Sequence, residues 1–516
     1  MFGQRDMKNK IVVTSALPYA NGDIHLGHLL EYIQSDIFVR AKRLDGYEVD
    51  FICASDSHGT AITISSQNEN LSEVDYIDKI RNEHLFDLEK FGVNFDIFSS
   101  TNSKENEKLT IDFFNTLKAN GYIIEKEVKQ LFDEYDKKFL SDREVKGICP
   151  KCGSHSQWGD GCDNCQSVYS AIDLINPIVV KESTHSIINK SSSHCFLNIE
   201  SFRDTLLEFI DSKAISNQLK DKLLEWFDEP LLDWDLTRDK PYFGFDIPDL
   251  DKCFYVWFDA PIAYISSHKE YLDGIGLDYK NDWREESTEL IQFIGKDIIY
   301  FHALFWVAIL KGNNYRLPTK LATHGFLTVN KNKMSKSKGS FITGKKFGDK
   351  YDPELLRFYF AYKLDDTIND IDFTYDDFVV KINNELIGKL INIGSRTIAL
   401  LNNKFGSQLS EISDTVFYEH IINDRQIIFD KYTELKYSEA IKIILGNATI
   451  INCYIDNNKP WNLSDNSHEV CSDCFRLFLF LIECLEPVMP LLYNRTKGLV
   501  VGNKTTEYIN LIERIK

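Results

Sequence analysis

Two histidines three residues apart, His25 and His28, stand in the stretch PYANGDIHLGHLL (18–30) with Gly27 between them. Imidazoles at that spacing beside a glycine fit either a metal site or a phosphate site. A metal asks for further ligands, and no H-E-x-x-H pattern supplies them. The setting suits phosphate better: Asn21-Gly22-Asp23 is turn sequence, with an apolar strand-like run before it and a helix-like run after it. A helix opening at Gly27 presents unpaired amides at the positive end of its dipole, where an anion belongs. Imidazole donors there can hold phosphate oxygens and stabilise developing charge. Two ordinary capping histidines satisfy the same pattern. A second concentration of chemistry is VNKNKMSKSKGSFIT (329–343), which gathers Lys333, Ser335, Lys336 and Ser337 around one methionine. Such a loop suits a polyphosphate, although a solvated basic loop has the same composition. Gly339-x4-Gly344-Lys345 imitates a Walker A loop, but Lys346 stands where the magnesium-binding hydroxyl is required and no apolar strand leads into Gly339.

A third cluster is sulfur. Cys149, Cys152, Cys162 and Cys165 form two C-x2-C turns in CPKCGSHSQWGDGCDNC. Two such turns bring four thiolates to one tetrahedral zinc and close its shell, which makes the expected role structural. His155 lies within the cluster as a bystander. Cys471 and Cys474 have no partner pair and sit beside an apolar helical run, so they read as core thiols.

These residues need a scaffold. KIVVTSA (10–16) reads as a buried strand, 27–46 has helical apolar spacing, and 47–56 reads as a second strand, together a β-α-β unit. LIQFIG (290–295) followed by KDIIYFHALFWVAIL (296–310) repeats the strand-to-helix sense, so a doubly wound sheet carries a long insertion. From about residue 376 long helical patterns dominate, as in 378–405 and 437–458, and indicate a helix bundle. The chain of 516 residues is too long for one core. Its net charge of −19 argues against a general nucleic-acid binder while leaving room for a partner that docks on local basic patches. No run of about 18 uncharged apolar residues is present, and no secretory signal is visible at the N-terminus. A cytoplasmic protein with no membrane association is expected, and eleven cysteines there do not imply a disulfide framework.

HLGH after a first strand and KMSKS some 300 residues later together resemble the paired signatures of the class I aminoacyl-tRNA synthetases. SALPYANGDIHLGH (15–28), FYVWFDAPIAY (254–264), FIGKDIIYFHALFW (293–306), HGFLTVNKNKMSKS (324–337) and the cysteine knuckle are similar to the methionine-specific branch of that family. The resemblance implies a Rossmann-like catalytic domain split into residues 1–117 and 235–325, a connective insertion with a zinc knuckle at 118–234, a KMSKS and stem-contact region at 326–377, and a helical anticodon-binding domain at 378–516. It implies that L-methionine, ATP and the methionine tRNAs are the partners, with one structural Zn2+, and Mg2+ travelling with ATP. His25, His28, Lys333 and Lys336 would be catalytic, and Gly27, Asp297, Ser335 and Lys336 would bind ATP, Asp297 at a strand end where a ribose-binding carboxylate belongs. Leu17, Tyr19, Asp56, Trp257, Pro261, Tyr264, Ile298, His302 and Trp306 would form the methionine pocket, with Asp56 pairing the substrate ammonium. Asn392, Arg396 and Trp461 would read the anticodon. Ser55 stands where the family often carries a second acid. With no dimerising C-terminal extension after residue 516, a monomer is expected.

Overall fold

The computed structural model describes residues 8–165, 167–333, 341–507 and 510–516. Five parallel strands form the central sheet: β1 (Lys8–Ser15), β2 (Tyr47–Ser55), β3 (Ile97–Ser100), β4 (Glu289–Gly295) and β5 (Lys320–His324). They lie in the order 3-2-1-4-5. Ile11, Val12 and Val13 of β1 are buried on both faces, as a central parallel strand requires. The strand order reverses between β1, which pairs Ser15 with Phe293 of β4, and β4 itself. That reversal opens a crevice at the carboxyl ends of the two strands, the place where ligands of doubly wound sheets bind.

The crossover helix α1 (Leu26–Leu44) begins at this crevice. Its apolar residues Leu29, Leu30, Ile33 and Ile37 are buried, and so are its polar Glu31, Gln34, Ser35 and Asp36. A helix buried all round has neighbours on both sides; here the sheet lies on one side and the C-terminal helices on the other. The insertion is a long antiparallel pair, Ile123–Asp133 against Ile187–Leu197, and the cysteine turns lie beyond its far end beside a small sheet. Short strands at Trp234–Asp235, Thr237–Asp239 and Lys252–Phe254 lead back into α2 (Val256–Gly274).

The C-terminal part is helical, with α3 (Pro353–Lys363), α4 (Asn392–Lys404), α5 (Tyr437–Asn458) and α6 (Ser467–Cys484) as its main members. The pattern over 378–405 predicts one α-helix, but residues Lys381–Ile391 are π-wound. Buried Ile382, Leu386 and Leu390 recur there every four residues rather than alternately three and four, which suits a wider turn. Tyr437 and Arg357 fasten this part to the sheet domain, and Glu354 ties α3 to the last helix within it. Tyr437 Oη donates to the Gln34 carbonyl of α1 at 2.8 Å. Glu354 accepts from the Leu491 and Leu492 amides at 2.6 and 2.8 Å. Arg357, fully buried, donates to Asp36 of α1 at 2.7 Å, to the Phe91 and Gly92 carbonyls, and to the Pro487 and Val488 carbonyls of the bundle. Among the described residues no helix is long and apolar enough to cross a membrane.

Arg357→Ala strips the donor from these carbonyls and leaves the buried Asp36 to Arg40, which bonds it at 2.7 Å, and to the Asn94 amide at 3.3 Å. Removing one partner of a buried pair of this kind costs roughly 3–5 kcal/mol. Urea unfolding of the variant should show a loss of that order.

Candidate active site

β1 ends at Ser15, and the chain then runs along the crevice. The Ala16 amide donates to the Phe293 carbonyl at 3.0 Å and to Glu31 Oε1 at 2.6 Å, and the Ala16 carbonyl accepts from Tyr32 Oη at 2.9 Å. Pro18 and Ala20 exchange backbone hydrogen bonds with Asp56 just beyond β2, so the two strand exits move as one. The turn that follows has Gly22 at φ +125°, and buried His84 donates to the Gly22 carbonyl at 2.7 Å.

His25 is the N-cap of α1. Its Nδ1 accepts from the amides of Gly27 and His28 at 3.1 and 3.2 Å, while His28 Nδ1 accepts from the His25 amide at 3.4 Å. These amides are therefore capped by the histidines rather than held open for an anion, which corrects the sequence-based expectation at this point. The cap has a chemical consequence. A backbone N–H can only donate, so each Nδ1 is unprotonated and each neutral ring carries its proton on Nε2, the side away from the helix amides. The rings stack with centroids 3.6 Å apart and planes 15° apart. Burial, then His25 and His84, hold the pKa of His28 well below the usual imidazole range. The turn thus offers two neutral N–H donors on one side.

The residues that follow the basic segment reach the same turn. Leu327–Val329 pairs antiparallel with Asn332–Lys333, and past the loop Thr343 bridges His25 while the Gly344 amide donates to the Ile24 carbonyl at 2.8 Å. Phe341 packs edge-on to His25 at 5.2 Å. Ser335, Lys336 and Ser337 lie outside the described residues, as does the side chain of Lys333. Across the crevice Asp297 is exposed just beyond β4. A Cβ on Gly295 would meet Asp297 Oδ1 at 2.5 Å, so only glycine lets that carboxylate fold back over the strand end. Beneath it buried Glu31 faces His324 Nε2 at 3.3 Å; burial raises the pKa of Glu31 against the pull of His324.

A cavity of about 150 Å³ opens beside the crevice, lined by Ala16, Leu17, Asp56, Trp257, Ala260, Pro261, Tyr264, Ile298, Phe301 and His302. Seven of these are among the pocket residues that the family resemblance implies; Ala16, Ala260 and Phe301 are additional. Tyr19 and Trp306 lie outside the lining. Tyr19 bridges Asp56 through the backbone. Trp306 is fully buried behind Tyr264, with its indole donating to Gln292 at 3.1 Å. Trp257 is 48% exposed and edges onto Phe301 at the mouth. His302 sits on a π-wound turn, Phe301–Phe305. Its Nδ1 meets the Ile298 carbonyl at 3.1 Å and must donate, so Nε2 accepts the Tyr264 hydroxyl proton at 3.1 Å. Burial lowers the His302 pKa to about 4, which keeps that polarity fixed. The only carboxylate in the lining is Asp56. Its Oδ1 is buried without a hydrogen-bond partner, and burial, then Asp259, push its pKa well above the usual carboxylate range, with His58 opposing.

The four cysteines converge as their spacing predicts, all Sγ atoms lying within 4.8 Å of one another. Sγ separations are 3.8 Å for Cys149–Cys165 and 3.6 Å for Cys152–Cys162. A tetrahedron with Zn–S bonds of about 2.3 Å has edges of about 3.8 Å, so the cluster fits zinc. Amides of Lys151, Cys152 and Cys165 point at the thiolates at 3.4–3.5 Å. His155 is exposed and outside the cluster, and Cys471 and Cys474 are core residues of α6. At the far end of the bundle Asn392 and Arg396 share a face of α4. Arg396 bonds Asp456 at 2.9 Å and lies 5.4 Å from the ring of Trp461, which is 45% exposed rather than core.

A doubly wound sheet with two neutral imidazole donors and an amino-acid-sized cavity at one switch point is the arrangement of an enzyme that joins a small carboxylic acid to a nucleotide. The family model described as tRNA synthetases class I (M) matches residues 11–398, and the chain belongs to that family. Among solved structures, Mycobacterium tuberculosis methionyl-tRNA synthetase in complex with methionyl-adenylate is similar with a TM-score of 0.78 and 20% identity, covering 98% of this chain and 99% of that one. A second structure of that enzyme bound by methionyl-adenylate gives 0.77 and 20% over 95% and 94% of the chains. Its apo form gives 0.72 and 18% over 99% of each. At these identities the likeness is one of fold.

His28 should stay neutral through mild acid. Nitrogen chemical shifts of 15N-histidine-labelled protein, with His28→Asn to assign the signal, should show the Nε2–H tautomer at pH 8 and no titration down to pH 5.5. A folded pKa held below the unfolded one also means that folding stability falls as pH drops through the unfolded imidazole value.

Proposed function

We propose that the protein activates L-methionine with ATP to methionyl-adenylate and pyrophosphate, then transfers methionine to the 3′ end of its tRNA. The carrying observation is the orphaned buried oxygen of Asp56 in an apolar cavity next to the histidine turn. A lone carboxylate in an apolar pocket is costly when charged and is relieved by a bound ammonium. Leu17, Pro261, Ile298, Tyr264 and His302 wall the side chain, with Trp306 behind, Tyr19 beside Asp56 and Trp257 over the mouth. Aromatic walls favour a thioether. Because the Tyr264 hydroxyl proton is given to His302, its oxygen lone pairs are what the cavity meets.

The substrate carboxylate attacks the α-phosphorus in line. It is ionised at neutral pH and needs no base. His25 and His28 serve as Nε2–H donors to the α-phosphate, Gly27 allows its close approach, and Asp297 takes the ribose hydroxyls. Lys333, Ser335 and Lys336 hold the β- and γ-phosphates, with Mg2+ accompanying ATP. Catalysis is positioning and charge stabilisation. A terminal ribose hydroxyl of tRNA then displaces AMP. Asn392, Arg396 and Trp461 read the anticodon by hydrogen bonding and stacking. Cys149, Cys152, Cys162 and Cys165 hold one structural zinc that shapes the insertion and takes no part in the chemistry. The division into residues 1–117, 118–234, 235–325, 326–377 and 378–516, a monomeric state and a cytoplasmic location belong to the same reading.

ATP–pyrophosphate exchange with single amino acids tests it: methionine alone should support exchange, and exchange with a different amino acid or with none would reject it. Lys336→Ala should lower exchange at least 100-fold, the scale of a lost transition-state donor, while methionine binding by calorimetry changes little. Trp461→Ala should spare exchange and weaken tRNA charging. Metal analysis should find one zinc per chain, lost in a Cys152→Ser/Cys165→Ser variant.

A further inference from the structure

Behind the cavity lies a buried polar group that the mechanism above does not use. His58 is fully buried two residues after Asp56. Its Nδ1 is 2.6 Å from Asp259 Oδ2 on α2, and its Nε2 is 3.0 Å from Asn102 Oδ1 in the loop after β3. Both neighbours are acceptors, so both ring nitrogens donate and the ring is an imidazolium. Phe243 and Phe245 close its remaining sides edge-on, at 5.4 and 4.6 Å. Asp259 is also fully buried, and like Asp56 it keeps one oxygen, Oδ1, without a partner.

Asp56 in the cavity lining and buried Asp259, which directly precedes Ala260 and Pro261 of the same lining, thus both interact with one buried cation. Neighbouring carboxylates in such a place share a proton unless a positive charge separates their titrations. We propose that His58 is a positioning residue for methionine: its imidazolium cancels the charge of Asp259, so that Asp56 carries the one uncompensated negative charge that receives the substrate ammonium. This rests on the functional reading above. Burial opposes the charge on His58, but Asp259, Asn102 and Asp56 outweigh it and its pKa is raised. The other titratable groups coupled to the two acids are Tyr19, Tyr242, Tyr255 and Tyr264. All four phenols are pushed upward by burial, so none titrates in the working range. Asn102 supplies orientation without charge. Asn106 adds a backbone tie, its amide side chain donating to the Asp259 carbonyl at 3.2 Å.

The experiment is the pH dependence of the methionine KM in ATP–pyrophosphate exchange between pH 6 and 9. His58→Gln keeps hydrogen-bonding capacity and removes the charge. It should raise KM at pH 6, by about tenfold for each unit that the Asp56 titration moves above that pH, converge on the parent at pH 9, and leave the KM for ATP and kcat at pH 9 close to the parent values. His58→Gln/Asp259→Asn, lacking both cancelling charges, should return the profile toward the parent. Asp259→Asn alone should move the limb to lower pH, and it decides the matter if His58→Gln does not fold. A folded His58→Gln with the parent profile, a double variant as impaired as the single, or an unshifted Asp259→Asn would overturn the proposal. Absence of methionine-dependent exchange in the parent protein would instead overturn the functional reading, and this inference with it.

Discussion

The architecture depends on one buried guanidinium. Arg357 has no exposed surface, and its donors reach α1, the Phe91–Gly92 turn and the Pro487–Val488 segment of the bundle. Burial of so much charge is tolerated because the planar fork meets an acceptor in each direction, Asp36 among them. α1 carries the histidine turn at its first residues and Asp36 in its middle. The helix that carries the two imidazoles is therefore seated by the same side chain that seats the bundle, while the rings themselves are oriented by their cap hydrogen bonds. Glu354, one turn earlier on α3, receives the Leu491 and Leu492 amides and Arg495, and so fixes the next helix start in the same joint.

Electrostatically the site holds back charge. Burial depresses the imidazoles of His28 and His302 and raises the carboxyls of Glu31, Asp56 and Asp259. Burial favours the neutral form of each of these groups, so their charge responds strongly to an arriving ligand charge. The fixed tautomers matter as much as the charges. His25, His28 and His302 each spend Nδ1 on the backbone, so their Nε2 atoms have one polarity only.

What could be read from the chain was local. The histidine turn, the paired cysteines and the β-α-β unit are patterns of a few to some tens of residues, and their physics is contained within them. The capping by His25 is local too, but imidazole is an uncommon cap and the usual preference for Ser, Thr, Asp and Asn gives no hint of it. The Arg357–Asp36 pair spans 321 residues and the His58–Asp259 pair 201, and no periodicity links such partners. Phe301 enters the cavity because its helix takes a π-wound turn that shifts the face presented, and apolar spacing alone reads straight through it. Glu31 carries a faint signal, an acid set among Leu29, Leu30, Tyr32 and Ile33 in the apolar stretch of α1.

The helix α5 begins at Tyr437, whose hydroxyl is bonded to α1, and ends two residues before the turn that displays Trp461. Its 22 residues make a rod about 33 Å long. Over that length a tilt of about one degree at its first residue corresponds to about 0.6 Å at the far tip, given the rise of 1.5 Å per residue. Because α5 packs along its length against α3 and α6, such a tilt is resisted, and the helix serves as a strut that holds the histidine helix and the surface beside Trp461 at a fixed separation.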